Sequence, residues 1–210
     1  MHYLNKRNFL IAVTLSFVLA CILIYFSYHF GKVNFFLLLN TNLGIFADYF
    51  FGIFTNAGDF LMWLFVFLIT IFLLKRKNTW PLLLLSLVIS TIITQVFKYF
   101  IVPDEPRPWL AIKDHSTVHH AWFVQPFLVS SFPSGHTAAA FTFYFLFCLL
   151  ITKNWWLYVG SLFAVTVAYS RVYLAQHFPF DLAGGIIVAI ISVSISIFIQ
   201  QQIWKKQNSF

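Results

Sequence analysis

The residues best suited to chemistry in this sequence lie in three short polar stretches that adjoin long apolar runs. The stretches are Lys98 with Arg107-Pro108, Pro133-Ser134-Gly135-His136, and Ser170-Arg171 with His177 and Asp181. Together they supply positive groups that bind an anion, two imidazoles and one carboxylate. This combination predicts the transfer of a phosphoryl group through a phosphorylated histidine.

The second stretch has the features of an anion site at the start of a helix. Pro133 is favoured beside the first helical turn. The backbone N–H groups of Ser134, Gly135 and His136 are therefore expected to face a cavity, with the positive end of the helix dipole behind them. Gly135 allows a phosphate to approach the backbone closely, and Ser134 adds a hydroxyl donor.

Three positive side chains are expected to neutralise the phosphate oxygens. Lys98 supplies a point charge, whereas Arg107 and Arg171 supply planar forks that bind two oxygens at once. Each of them alone has an ordinary interpretation, since a basic residue near a helix end commonly reaches toward the membrane surface. Their occurrence together with the two histidines is what indicates an anion site.

The two histidines are expected to have different roles. His177 is predicted to attack phosphorus, with Asp181 accepting a hydrogen bond from its other ring nitrogen and fixing the tautomer. His136 is predicted to act as the general acid that protonates the departing oxygen, and then as the base that activates water. One nitrogen cannot be nucleophile and proton donor in the same step, so both imidazoles are required.

The composition is that of a protein embedded in lipid. Of the 210 residues, 60% are hydrophobic and only 9% are charged, whereas soluble domains have about 25% charged residues. Helices satisfy their own backbone in hydrocarbon, and the apolar runs lack the two-residue alternation of a barrel. We therefore expect an all-α integral membrane protein with one domain, 1–210, and a motif-bearing core of about 80–204. The basic residues are scattered among the apolar runs, which argues against nucleic acid as a partner.

Six apolar runs are interpreted as membrane spans, so the expected architecture is a six-transmembrane-helix bundle. They cover about 9–30, 60–74, 80–102, 133–151, 155–176 and 181–203. The segment 35–59 is apolar but interrupted by polar residues and glycines, and it is predicted to be interfacial or partly re-entrant helix. The segment 103–131 is predicted to be the one long polar loop. Gly184-Gly185 is expected to allow close helix packing.

The distribution of basic residues predicts an outward-facing site. With six spans and a cytoplasmic N-terminus, eight lysines and arginines lie inside and five lie outside, as the positive-inside rule favours. Lys98, His136, Arg171 and Asp181 then lie at the outer ends of four separate spans. Ionisable residues that converge at membrane depth indicate a functional cavity.

The three stretches resemble the signature of the type 2 phosphatidic acid phosphatase family, which includes bacterial undecaprenyl-pyrophosphate, phosphatidylglycerophosphate and lipid A phosphatases. The second and third stretches match in full, whereas eight residues separate Lys98 from Arg107 where the family usually has six. The resemblance implies a six-helix fold, hydrolysis that needs no metal or other cofactor, and His177 as the nucleophile.

The expected function is removal of the terminal phosphate from a lipid phosphate or diphosphate on the outer side of a bacterial inner membrane. Undecaprenyl diphosphate is the first candidate substrate. Two alternatives remain open. A second lipid could take the phosphoryl group from His177 instead of water, which would make the chain a phosphotransferase. The chain could also bind or transport lipid phosphates without catalysis, although the two histidines and Asp181 exceed what anion binding needs.

The remaining polar residues receive structural interpretations. His115, His119 and His120 lack the cysteines and close carboxylates of a typical metal site, so they are assigned to a flexible polar loop. Asp48 and Asp59 are assigned to a solvated outer face, with a place at the border of the substrate entry as the alternative.

Overall fold

The computed structural model describes residues 4–207 and is built from helices and connecting segments, with no strand in that range. The helices are α1 Lys6–His29, α2 Lys32–Leu39, α3 Ile45–Phe54, α4 Phe60–Leu68, α5 Trp80–Val96, α6 Pro108–Ala111, α7 Gly135–Leu150, α8 Trp155–Tyr173 and α9 Pro179–Gln207. The expectation of an all-α protein is confirmed. The first three and last three residues of the predicted domain lie outside the described range.

Among the described residues, three helical stretches are long and apolar enough to cross a membrane. They are Lys6–His29, Trp80–Ile101 and Pro179–Gln202. These stretches coincide with the first, third and sixth runs that the sequence predicts. α7 is apolar as well but has only 16 residues. The chain is therefore an integral membrane protein with at least three helices of spanning length.

A fourth apolar stretch is bent in the middle. Ile45–Gly58 and Leu61–Leu73 reach spanning length only together, and they meet at an angle of 66°. The bend lies at Asp59, whose backbone is extended where α4 begins. This geometry is that of a broken span or of a re-entrant loop, and only the second is the arrangement predicted before residue 60.

α7 is the central helix of the bundle. It contacts α1, α5, α8 and α9, and every side chain from Thr137 to Leu150 is buried. A helix that is apolar on all its faces is expected to be surrounded by other helices. Ser134 caps its N-terminus, with the side-chain oxygen accepting a hydrogen bond from the N–H of Thr137 at 3.4 Å, as serine commonly does at this position.

Close contact between α7 and α9 places the second and third polar stretches side by side. A Cβ atom on Gly185 would lie 2.6 Å from the carbonyl oxygen of Ser134, so only glycine fits there without a shift. The backbone N–H of Ser134 also donates to the carbonyl of Asp181 at 3.0 Å. The prediction that Gly184-Gly185 allows close helix packing is confirmed.

Candidate active site

The turn between α8 and α9 brings Arg171 and His177 together. The backbone N–H groups of Gln176 and His177 both donate to the carbonyl of Arg171, at 2.8 and 3.1 Å. The turn uses a left-handed conformation at Ala175, whose φ is 54°, and such a conformation costs a residue with a Cβ roughly 1–2 kcal/mol. The backbone beneath these two side chains is therefore held by hydrogen bonds.

Asp181 holds one edge of the His177 ring. Nδ1 of His177 lies 3.4 Å from Oδ2 of Asp181, and both side chains are almost completely buried. The same oxygen accepts hydrogen bonds from the hydroxyl of Ser131 and from the backbone N–H of Phe178 at 3.0 Å. Because three donors converge on Oδ2, the carboxylate is held in one orientation. The pairing predicted for His177 and Asp181 is present.

Arg107 determines which nitrogen of His177 carries the proton. Its Nη1 lies 3.3 Å from Nε2 of His177, and a guanidinium can only donate hydrogen bonds. Nε2 therefore accepts, which assigns the ring proton to Nδ1, on the side of Asp181. The lone pair of Nε2 faces Nη1 of Arg107, so a phosphate would have to take over this donor before the lone pair could attack.

Burial and positive charge keep His177 in its neutral form. Burial lowers the pKa of His177 well below its usual value, and the charges of Arg107, Lys98 and Arg171 lower this pKa further. Burial also lowers the pKa of Arg107, to about 10, so the guanidinium remains charged at neutral pH. A neutral imidazole beside three cations is the state required of a nucleophile that attacks a phosphate.

Most donors of Arg107 are already occupied by backbone carbonyls. Nε donates to Val129 at 2.9 Å, Nη2 to Ser130 at 3.3 Å, and Nη1 to Gln176 at 3.0 Å. The predicted two-pronged binding of phosphate by Arg107 is therefore not preformed. What Arg107 offers the site is its charge and the Nη1 group that faces His177.

Arg171 directs an unpaired donor into the protein interior. Its Nη1 donates to Oγ1 of Thr55 at 2.6 Å, while its Nε is buried and has no hydrogen-bond partner within residues 4–207. Leaving a buried donor unsatisfied costs roughly 1–3 kcal/mol. An anion bound beside Arg171 would remove that cost, which supports the role predicted for this residue.

His136 has a carboxylate partner that the sequence does not suggest. Nε2 of His136 lies 2.7 Å from Oδ1 of Asp59, at the bend before α4. Gly58 packs against the same histidine, since a Cβ atom there would lie 2.7 Å from Cβ of His136. The side chain of Asp59 is 46% exposed, as a solvated face requires, but its bond to one of the two site histidines is not predicted.

The predicted anion site at the start of α7 is only partly free. The N–H of Ser134 is occupied by the carbonyl of Asp181, so the expectation that it faces a cavity is wrong. Its side-chain oxygen also accepts a hydrogen bond from the hydroxyl of Thr137 at 2.9 Å. At Gly135 the space is open, because an added Cβ would meet only the Thr94 methyl group, at 3.6 Å. Gly135 and Thr94 line part of a cavity of about 250 Å³.

Lys98 lies at the far end of α5, in the π-helical turn Phe97–Ile101. Its side chain is half-buried, and its charge acts electrostatically on both His177 and Asp181. Lys98 therefore lies within electrostatic range of the site, with eight residues between it and Arg107.

The three loop histidines bind different partners. His115 and His120 are hydrogen-bonded to the carbonyls of Trp109 and Val124, and Nε2 of His119 lies 2.9 Å from Oδ1 of Asp48. Within the described part of the chain, no three side chains of the metal-binding types lie close enough to share an ion.

Asp48 is a buried acceptor rather than a surface carboxylate. Beside His119, it accepts a hydrogen bond from the hydroxyl of Tyr173 at 2.6 Å. The assignment of Asp48 to a solvated face is therefore wrong.

Three side chains at the site are missed by sequence reasoning, namely Thr55, Asp59 and Ser131. Thr55 is 116 residues from Arg171 along the chain, and Ser131 is 50 residues from Asp181. Neither of the two belongs to a motif. Asp59 offers one usable signal, because a Gly-Asp pair stands between two apolar helices, where a carboxylate is costly without a partner.

Comparison with known proteins places the chain in a family. The sequence profile of the PAP2 superfamily matches residues 79–205, more than half of the chain, and the protein belongs to that superfamily. The matched region contains all eight site residues that the sequence predicts.

Two curated relatives carry the same functional name. The chain is 35% identical over 106 residues to undecaprenyl-diphosphatase BcrC of Bacillus subtilis, covering 50% of this chain and 48% of the relative. It is 33% identical over 122 residues to an undecaprenyl-diphosphatase of Sulfolobus acidocaldarius, covering 56% of this chain and 54% of the relative. The chain thus spans about half the length of the curated relatives that it matches.

A solved structure extends the similarity to most of the fold. The crystal structure of Aquifex aeolicus LpxE superposes with a TM-score of 0.65 at 31% identity. The superposition covers 77% of this chain and 92% of LpxE. The shared fold therefore extends beyond the three polar stretches.

Proposed function

We propose that the protein is a membrane phosphatase that removes the terminal phosphate of a lipid phosphate or diphosphate, with undecaprenyl diphosphate as the first candidate substrate. The observation that carries the proposal is the arrangement around His177. Asp181 holds Nδ1 and Arg107 faces Nε2 at 3.3 Å. The charge of Arg171 also acts on His177, and the buried Nε of Arg171 has no partner among the described residues. The names of the curated relatives favour this substrate.

In the proposed architecture, the chain is a single domain, 1–210, that crosses the membrane six times. α4, α7 and α8 would then complete the bundle begun by the three helices of spanning length. The count of eight inner against five outer lysines and arginines favours a site on the outer side of a bacterial inner membrane. A site at this depth would let the lipid tail stay in the bilayer while the phosphate enters the protein.

The first chemical step is the transfer of the phosphoryl group to His177. The lone pair of Nε2 forms the N–P bond as the bond from phosphorus to the lipid oxygen breaks. The departing oxygen keeps the bonding electrons and takes a proton from His136. Lys98, Arg107 and Arg171 stabilise the charge that spreads over the phosphoryl oxygens in the transition state.

The second step is hydrolysis of the phosphohistidine. His136, now neutral, takes a proton from water, and the resulting hydroxide attacks phosphorus. The N–P bond breaks and its electrons return to Nε2 of His177, which restores the starting state. Three cationic side chains supply the charge that a metal ion provides in other phosphatases, so we propose that the reaction proceeds in the presence of EDTA.

The proposal is tested by phosphate release from purified protein in detergent with EDTA present. The substrates are undecaprenyl diphosphate, phosphatidylglycerophosphate, phosphatidic acid and lipid A. We expect release from undecaprenyl diphosphate to be the fastest and to disappear in the His177→Ala variant. Transfer of labelled phosphate to a second lipid instead of water would identify a phosphotransferase. Binding of lipid phosphate without either reaction would refute catalysis.

Asp59 is proposed to orient His136 and to stabilise its protonated form. Because Nε2 is bonded to Asp59, the proton for the leaving group would come from Nδ1. The Asp59→Asn variant is expected to lose about 10²-fold in kcat/KM on an alkyl phosphate, whose leaving group needs a proton. On p-nitrophenyl phosphate, whose leaving group needs none, the loss should be at most about threefold.

The matched control for Asp59 is Asp48→Asn, which changes another carboxylate paired with a histidine, His119. It should affect both substrates equally. A uniform loss on both substrates in Asp59→Asn would show that Asp59 is only structural.

Gly135 and Gly185 can be compared to test which glycine leaves room for the substrate and which one allows two helices to pack closely. Gly135→Ala is expected to leave thermal stability unchanged, since the added methyl meets only Thr94, yet to lower kcat/KM about tenfold by crowding the phosphate. Gly185→Ala is expected to lower stability by about 1–3 kcal/mol through contact with Ser134. Unfolding temperatures and kcat/KM of both variants are measured together. Unchanged kcat/KM in Gly135→Ala would place the phosphate elsewhere.

A further inference from the structure

The long loop between α5 and α7 exposes a cluster of apolar side chains near its end. We name residues 122–129 the apolar lip. Its exposed members are Trp122, Phe123, Phe127, Leu128 and Val129, with exposures from 37% to 74%. An exposed apolar cluster in a loop that joins apolar helices is suited to contact with lipid. The exposed stretch 113–117 of the same loop is mainly polar and includes Lys113 and Asp114.

The backbone of the apolar lip is bound to the active site. The backbone N–H of Arg107 donates to the carbonyl of Leu128 at 2.8 Å, and the Arg107 side chain donates to Val129 and Ser130. The guanidinium also lies over the ring of Phe127, 5.1 Å from its centroid. One arginine therefore contacts both the lip and Nε2 of His177.

The apolar lip continues the apolar surface of α3. Phe123 stacks on Tyr49 with ring centroids 5.0 Å apart and planes within 9°. Around Tyr49, α3 exposes Phe46, Phe50 and Ile53, which belong to the bent membrane stretch. The exposed apolar side chains of α3 and those of the loop therefore meet at the contact between Tyr49 and Phe123.

We propose that the apolar lip inserts into the boundary between headgroups and acyl chains, on the side of the membrane that carries the active site. Phospholipid is the partner that fits, because the cluster combines Trp and Phe side chains, which favour this boundary, with Leu and Val. The attachment to Arg107 runs through the backbone carbonyls of Leu128 and Val129, not through the inserting side chains. The depth of the lip in the membrane would therefore set the depth of Arg107, at the level where a lipid phosphate lies.

Insertion is tested by the depth of a fluorescent label in vesicles of phosphatidylethanolamine and phosphatidylglycerol. Leu128→Cys is labelled with an environment-sensitive dye in a Cys21→Ser background, and Lys113→Cys in the polar part of the loop is the control. Cys148 is buried and does not compete. Quenching by spin-labelled lipid is expected to be at least about threefold stronger at 128 than at 113.

Equal quenching at the two positions would overturn the proposal. So would a label at 128 that neither lipid nor aqueous iodide reaches, because another protein surface would then cover the lip. This measurement does not depend on enzymatic activity.

A second experiment rests on the proposed phosphatase function. The double variant Trp122→Gln/Leu128→Gln is expected to lose about tenfold in kcat/KM on lipid phosphate in vesicles. It should keep its rate on soluble p-nitrophenyl phosphate in detergent. Leu110→Gln, which changes an exposed leucine of α6 outside the lip, is the matched control. Equal rates of the double variant and the wild type on vesicles would refute a role for the lip in catalysis at the membrane.

Discussion

Replacement of His177 by alanine is expected to lower kcat by roughly 10⁴-fold or more. In the proposed mechanism Nε2 of His177 forms the bond to phosphorus, and within residues 4–207 no other imidazole contacts both Arg107 and Asp181. His136 has a different carboxylate partner, since its Nε2 lies 2.7 Å from Oδ1 of Asp59. The remaining rate would come from the positive charges, which still bind and polarise the phosphate.

The loss in His177→Ala is measured as phosphate release, together with trapping of the phosphoenzyme. Rapid quenching of the wild type with radiolabelled substrate is expected to yield a protein-bound phosphate that is stable to alkali and labile to acid. His115→Ala is the control, because it removes an exposed histidine from the loop. If His177→Ala retained a tenth of the wild-type rate, the phosphohistidine pathway would have to be abandoned.

Replacement of Arg171 by alanine is expected to cost roughly 10²–10³-fold in kcat/KM. Arg171 combines a buried charge with an Nε donor that has no partner within residues 4–207. A phosphoryl group in transit would bind that donor most strongly when its oxygens carry the most charge. The effect should therefore appear mainly in kcat.

Arg171→Lys separates the role of charge from the role of geometry. Lysine keeps the charge but lacks the planar fork and the Nε donor. We therefore expect kcat/KM of Arg171→Lys to exceed that of Arg171→Ala by less than about tenfold. Inhibition by vanadate should weaken in parallel with kcat/KM. Thr55→Val is the control, since it removes the partner of Nη1 and leaves Nε unchanged. Wild-type kinetics in Arg171→Lys would show that a point charge suffices.

Sequence reasoning predicts those parts of the protein whose signals are local. The start of α7 is marked by Pro133 and Ser134, and the helices of spanning length are marked by unbroken apolar runs. The pairing of His177 with Asp181 is a matter of helical spacing and capping within four residues. Such local signals are reliable because the helical backbone fixes which residues three or four positions apart lie next to each other.

The parts that sequence reasoning misses depend on contacts between distant segments. Whether Asp59 meets His136 depends on the 66° bend before α4, and no local pattern gives the direction of that bend. The N–H of Ser134 cannot bind a phosphate because it donates to the carbonyl of Asp181. This contact forms because Gly185 lets α9 approach closely. In each case a polar group obtains its partner from the tertiary packing.

The bend at Asp59 brings residues from the first third of the chain to His136 and Arg171. The superfamily profile begins at residue 79, yet Thr55, Gly58 and Asp59 contact Arg171 and His136 from before that point. The partners of two central groups are thus encoded outside the segment that defines the family. Chimeras that exchange the first 78 residues between relatives would keep every signature residue. They would still change the partners of His136 and Arg171. Under the proposed function, the segment before residue 79 is therefore expected to influence catalysis as well as to contribute a span.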